Sequence, residues 1–124
     1  DFADWERTYR GLLDQARQAN PALKIVLCTP FAAPCGKIVE GALGEYYPLR
    51  QRILAQCCVI VERIAADYGA TLVPFHRLIA DLETRLPNGD ATYWVWDGIH
   101  PTPAGQRLMA DCWIGAAARN GVME

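Results

Sequence analysis

Apolar positions along the chain recur with helical spacing in some segments and as short unbroken runs in others. Trp5, Tyr9, Leu12, Leu13 and Ala16 follow one another at spacings of four, three, one and three, which places them on one face of a helix that Asn20-Pro21 stops. Lys24-Ile-Val-Leu-Cys28 is a branched apolar run bounded by prolines, the pattern of a fully buried strand in a parallel sheet. Residues 29–47 carry two Pro and three Gly and predict a long loop. A second helix is predicted from about Leu49 to Tyr68, with Ile53, Cys57, Ile60, Val61 and Ile64 on one face and Gly69 as its C-cap. Thr71-Leu-Val-Pro-Phe75 reads as a second strand, and a third helix runs to about Leu86. Pro87-Asn88-Gly89-Asp90 reads as a turn, and the stretch from Ala91 to Pro101 has little periodicity and three aromatic residues. Thr102 and Pro103 open the last helix as N-cap and first helical residue; Leu108, Met109, Cys112 and Ala116 form its stripe and Asn120-Gly121 its end.

Strands alternating with helices imply an α/β fold with a parallel sheet covered on both faces. Two strands cannot cover the apolar faces of four amphipathic helices, so the sheet is expected to be completed by something outside this sequence. The length, 124 residues, suits one domain, and 52% apolar content suits an ordinary core. Twelve cationic residues, ten of them Arg, against fourteen acidic ones give −2 without any run of like charge, which speaks against a nucleic-acid partner. No apolar stretch approaches eighteen residues, so no membrane span is expected. No secretory leader is expected among these residues, and opening on Asp1 rather than Met suggests an N-terminus outside them. The five cysteines lack both a C-x-x-C pair and framework spacing, and there are two histidines, so neither zinc nor a disulfide scaffold is indicated. They read as small hydrophobes in a reducing, cytoplasmic compartment. The sequence has no serine, where about seven would be average, so no serine nucleophile can come from these residues.

Asp97-Gly98-Ile99-His100-Pro101 is the most informative stretch. Gly98 permits a tight turn and Pro101 stiffens its exit, so the carboxylate can fold back onto the imidazole Nδ1 and leave Nε2 free to accept a proton. That is the base and its orienter, two members of a nucleophilic triad. The same residues also suit a turn capped by Asp97 with an ordinary exposed His100.

The run WVWDGIHPTPAGQRLMADCWI closely resembles the C-terminal motif of SGNH (GDSL) hydrolases, an Asp-x-x-His followed by Pro and a helix. FADWERTYRGLLDQAR, KIVLCTPFAAPCG and YGATLVPF are similar to successive elements of the bacterial lysophospholipase-like esterase branch. The resemblance implies a flavodoxin-like three-layer α/β/α fold and acyl-ester hydrolysis by a Ser-His-Asp triad. It carries His100 over as general base and acid and Asp97 as its orienter. The family's nucleophilic serine and its oxyanion-hole Gly and Asn have no counterpart here; they belong to blocks that precede this region. The chain is therefore expected to be the C-terminal portion of a single SGNH-hydrolase-like domain over residues 1–124, with the front strands missing and no specific esterase activity alone.

Its expected partners are a small-molecule ester and the missing N-terminal portion, or a second copy if the chain is truly truncated. No cofactor or metal is expected, since Asp97, His100 and His76 lack ligand spacing. Ile99, between the two triad residues, and Phe31, at the end of the first strand, are expected to line the substrate pocket. His76 sits at the same sheet edge and reads as a polar loop residue. Trp94 and Trp96 flank the site as plugs of the sheet's end, and Tyr46 and Tyr47 suggest a lid. The competing reading is a non-catalytic α/β binding or assembly module derived from a hydrolase.

Overall fold

The computed structural model describes residues 1–86 and 90–123. The turn expected at Pro87-Asn88-Gly89 lies outside them. Helix α1 (Phe2–Ala19) is capped by Asp1, whose side chain accepts from the Ala3 N–H, and ends at Asn20 as Pro21 requires. Strand β1 (Val26–Cys28) and strand β2 (Thr71–Val73) pair in parallel, with Val26 opposite Thr71, Leu27 opposite Leu72 and Cys28 opposite Val73. Helix α3 (Tyr47–Asp67) connects them and Gly69 follows at φ +58°, a conformation glycine adopts without strain. Helix α4 (Phe75–Arg85) takes over Phe75, which the apolar run had assigned to the strand. Pro74 ends the strand pairing, because it has no N–H for the ladder. Helix α5 (Pro103–Arg119) begins as expected: the Thr102 hydroxyl accepts from the Gly105 N–H.

The region read as a loop over 29–47 holds a 3-10 turn, Gly36–Val39, and the short helix α2 (Gly41–Glu45). Two glycines in left-handed backbone, Gly36 and Gly41, start them, and a Gly/Pro-rich stretch hides such short turns from periodicity.

Side chains alternate across a strand, so register partners share a face. Leu27 and Leu72 meet Ile60, Val61, Ile64 and Ala65 of α3, with Tyr9 and Leu13 of α1 behind. Thr71 and Val73 point the other way, where α5 packs on β2. The result is helix, sheet, helix. A second cluster lies apart from the first: Ala33, Cys35, Ile79, Ala91 and Val95, flanked by Phe31, Leu82 and Trp94.

Three apolar surfaces stay open, in keeping with a sheet too small to cover its helices; among them, the first strand, expected to be fully buried, is not. No residue of α1 is fully buried, and Trp5 and Leu12 stay exposed although they lie on its apolar face. Ile53, on the apolar face of α3, is 44% exposed. Val26 and Cys28 are only half-buried, so β1 is not enclosed. For α1 and β1 the cause is common: α5 covers β2, while nothing among the described residues pairs with the outer edge of β1; Ile53 lies elsewhere, beside Tyr46 and Leu49. No helix among the described residues is long and apolar enough to cross a membrane.

Candidate active site

After a short 3-10 turn over Ala91–Tyr93, the chain closes a narrow hairpin. Val95 and Pro101 form an antiparallel bridge, and the Trp96 N–H donates to the His100 carbonyl at 3.2 Å. The tip is Asp97-Gly98-Ile99-His100, and Gly98 takes φ +89°, which side-chain-bearing residues rarely adopt. Helix α5 fixes one side of this hairpin. The Thr102 hydroxyl donates to the Tyr93 carbonyl at 2.6 Å and the Thr102 N–H to the Trp94 carbonyl at 2.9 Å. Gly105 admits that carbonyl, since a Cβ there would collide with the Trp94 oxygen.

Asp97 folds back as the spacing suggested. Its Oδ1 accepts from the backbone N–H of Ile99 at 3.0 Å and of His100 at 2.7 Å, and its Oδ2 lies 2.6 Å from His100 Nδ1. These donors, the His100 backbone N–H first, hold the carboxyl down at about 2 against the opposing effect of burial. The carboxylate is therefore charged at neutral pH and holds the Nδ1 proton. His100 Nε2 has no hydrogen-bond partner among the described residues, its side chain is 68% exposed, and the Trp96 ring stacks on it at 6.0 Å and 23°. A base in the correct tautomer with a free Nε2 can take a proton from a hydroxyl brought to it.

Beside this pair lies an apolar cavity of about 550 Å³, lined by Ile99 and Phe31 together with Trp5, Tyr9, Leu12 and Cys28. The structure thus brings Ile99 and Phe31 to one cavity. It also adds α1, whose Trp5, Tyr9 and Leu12 the sequence had placed on one helical face. Their helical spacing was the available signal; what they face was not. His76 does not join the site. Its Nδ1 lies 2.8 Å from the Thr29 hydroxyl and its Nε2 3.7 Å from Glu62, and burial pushes its pKa below the usual value. It borders a second cavity of about 210 Å³ with Tyr47 and Gln51, which shares only Pro30 and Phe31 with the first. Tyr47 hydrogen-bonds Gln51 at 2.6 Å, while Tyr46 is exposed beside Leu49 and Ile53. Trp94 belongs to the second core cluster, unlike Trp96. Among the described residues no group of three His, Cys, Asp or Glu side chains could hold a metal ion.

The GDSL-like lipase/acylhydrolase family matches residues 1–108. No curated protein matches the chain. Among solved structures, a protein from Parabacteroides merdae ATCC 43184 described as a GDSL-like lipase is 28% identical and superposes with a TM-score of 0.76. The match covers 91% of this chain and 48% of that one, so the chain spans about half the length of the structure it resembles. The α/β arrangement described above is part of that protein's fold.

Proposed function

The chain belongs to the GDSL-like lipase/acylhydrolase family, and from that premise we propose that it is the acid–base half of a serine esterase. The observation that carries this reading is the 2.6 Å contact of Asp97 with His100 Nδ1, which leaves Nε2 unoccupied. The nucleophile comes from residues outside this sequence, because none of the 124 is serine. The half-length match and the open edge of β1 both support a further part of the same domain as its source.

In the assembled site the serine oxygen attacks the ester carbonyl carbon and its proton passes to His100 Nε2. Asp97 stabilises the imidazolium so formed. Collapse of the tetrahedral intermediate breaks the bond to the alcohol, which leaves with the proton from Nε2. Water then attacks the acyl-enzyme, giving up a proton to the same nitrogen, and the acid and the free serine are released. Donors for the oxyanion belong to the other part of the domain. The end of the large cavity formed by Ile99 and Phe31 seats the acyl group, and its apolar lining favours an aliphatic one. The five cysteines are free, in keeping with a reducing, cytoplasmic setting.

The test is hydrolysis of p-nitrophenyl acetate by the serine-containing protein, its His100→Ala variant, and this chain alone. The serine-containing protein should turn over, and the substitution should cost on the order of a thousandfold or more. The chain alone should show no His100-dependent rate. A serine-containing protein indifferent to His100→Ala, or a His100-dependent rate in this chain alone, would refute the proposal. An assembled protein without any esterase activity would favour the binding-module reading.

A further inference from the structure

The hairpin that carries Asp97 and His100 is gripped on its other side as well, by the segment that follows β1. The Ala33 N–H donates to the Gly98 carbonyl at 2.9 Å. The Cys35 thiol, almost wholly buried, donates to the Val95 carbonyl at 2.8 Å. Gly36, at φ +64°, rests on the backbone of Asp97: a Cβ there would stand 2.5 Å from Asp97 Cα, 2.8 Å from its carbonyl carbon and 3.0 Å from the Trp96 oxygen. Ile38 closes the grip by lying against Gly98, where a Cβ would collide with its side chain and come 2.6 Å from the Cys35 oxygen. Four contacts over six residues converge on four residues of the hairpin, and two of them, at Ala33 and Gly36, involve backbone atoms on both sides. Backbone cannot swing aside as a side chain can, so the position of this segment dictates that of Asp97.

We propose that Ala33–Ile38 is a positioning element for the Asp97–His100 pair, and that Gly36 is its key positioning residue. The absence of a side chain at Gly36 lets the segment seat against Asp97 closely enough to hold its carboxylate on Ile99 N, His100 N and His100 Nδ1 together. This rests on the dyad reading for its catalytic meaning, but the readout below needs no turnover, so either can fail without the other.

Gly41 supplies the control. It too has left-handed backbone, at φ +51°, yet nothing lies within 4 Å of a Cβ built on it. Gly36→Ala and Gly41→Ala therefore carry a similar backbone penalty, and only the first touches Asp97. The Asp97 carboxyl is followed by carbon-13 NMR during acid titration of each variant, with circular dichroism to verify the fold. The wild-type midpoint should lie at about 2. In Gly36→Ala it should rise by about one unit or more, because hydrogen bonds to the charged carboxylate are lost, and His100 N–H exchange should quicken about tenfold. Gly41→Ala should match the wild type. An unmoved midpoint in folded Gly36→Ala, or an equal rise in Gly41→Ala, overturns the proposal. Should Gly36→Ala fail to fold, Cys35→Ala and Cys35→Ser decide it. The alanine variant, without a donor for Val95, should raise the Asp97 midpoint, and the serine variant, with a hydroxyl donor, should restore it. Identical midpoints in the two overturn it equally.

Discussion

Replacing Asp97 by asparagine keeps the shape of the orienting group and removes its charge, and the hydrogen bonds of the hairpin dictate how the new amide must sit. Two backbone N–H groups, of Ile99 and His100, converge on Oδ1 at 3.0 and 2.7 Å, whereas Oδ2 meets only His100 Nδ1. An NH2 group turned toward the two N–H donors would leave both unpaired, so the amide oxygen stays there and the NH2 faces the imidazole. The NH2 can only donate. Nδ1 must then present its lone pair, which moves the imidazole proton to Nε2, and a nitrogen that already carries a proton cannot accept one from serine. Two bonds against one hold the amide in this orientation, and the turn survives because its backbone donors remain satisfied. On the proposed mechanism the rate of the serine-containing protein should therefore fall about 10,000-fold, the size of the same tautomer exchange in a Ser-His-Asp triad. Nitrogen-15 NMR of the His100 ring in this chain reads the cause directly: proton on Nδ1 in the wild type, on Nε2 in Asp97→Asn. A variant within about tenfold of the wild-type rate would refute the reasoning, as would a ring whose proton stays on Nδ1.

Acid stability and packing supply two more tests. Asp97 titrates at about 2 when folded against an ordinary 3.8, so between these values the unfolded chain binds more protons than the folded one. Its contribution is complete above about pH 4 and is lost as the pH falls toward 2. Urea unfolding across that window should show the wild type losing stability relative to Asp97→Asn, and parallel curves would contradict the assignment. In α3, Ile64 is fully buried and Ile53 is 44% exposed although both lie on one helical stripe. Ile64→Ala should cost about 2–5 kcal/mol, and Ile53→Ala about 0.5 kcal/mol or less; similar losses in urea melts would show that the outer stripe is covered.

What the sequence disclosed follows from how local each feature is. Asp97, Gly98 and His100 lie within four residues, so the turn that joins them is written in their own chemistry. The Thr102-Pro103 start of α5 is equally local. The runs at Ile25–Cys28 and Thr71–Val73 announce strands because a buried parallel strand needs apolar residues on both faces. The pattern at Trp5, Tyr9 and Leu12 correctly gave a helix and its apolar side. It could not say that this side would line a cavity, because periodicity records which residues avoid water and not what they meet. Ile53 and Ile64 share a stripe, yet one is exposed and the other buried, for the same reason. The grip of Cys35 and Gly36 on Val95 and Asp97 spans about sixty residues of chain. It left no trace in spacing, since a glycine in a loop looks alike whether it turns the chain or yields room to a neighbour. Trp94 and Trp96 are two residues apart in the same aromatic stretch, yet one fills the second cluster and the other stacks on His100.

The separation of the two clusters bears on how the protein ages. The larger one joins α1, β1 and α3 and involves neither Asp97 nor His100; the smaller one, from Ala33 to Val95, is the footing of the hairpin. Cooperative units with separate cores open at separate free energies. The hairpin and its footing are thus expected to open before α1 and α3, which hold most of the helical residues outside α5. Heat or mild denaturant would then erode competence ahead of ellipticity, and a preparation judged sound by its helical spectrum could already be spent. On that expectation, loss of the hairpin is governed by the cluster of Ala33, Cys35, Ile79, Ala91 and Val95 and not by the core that α1 and α3 share.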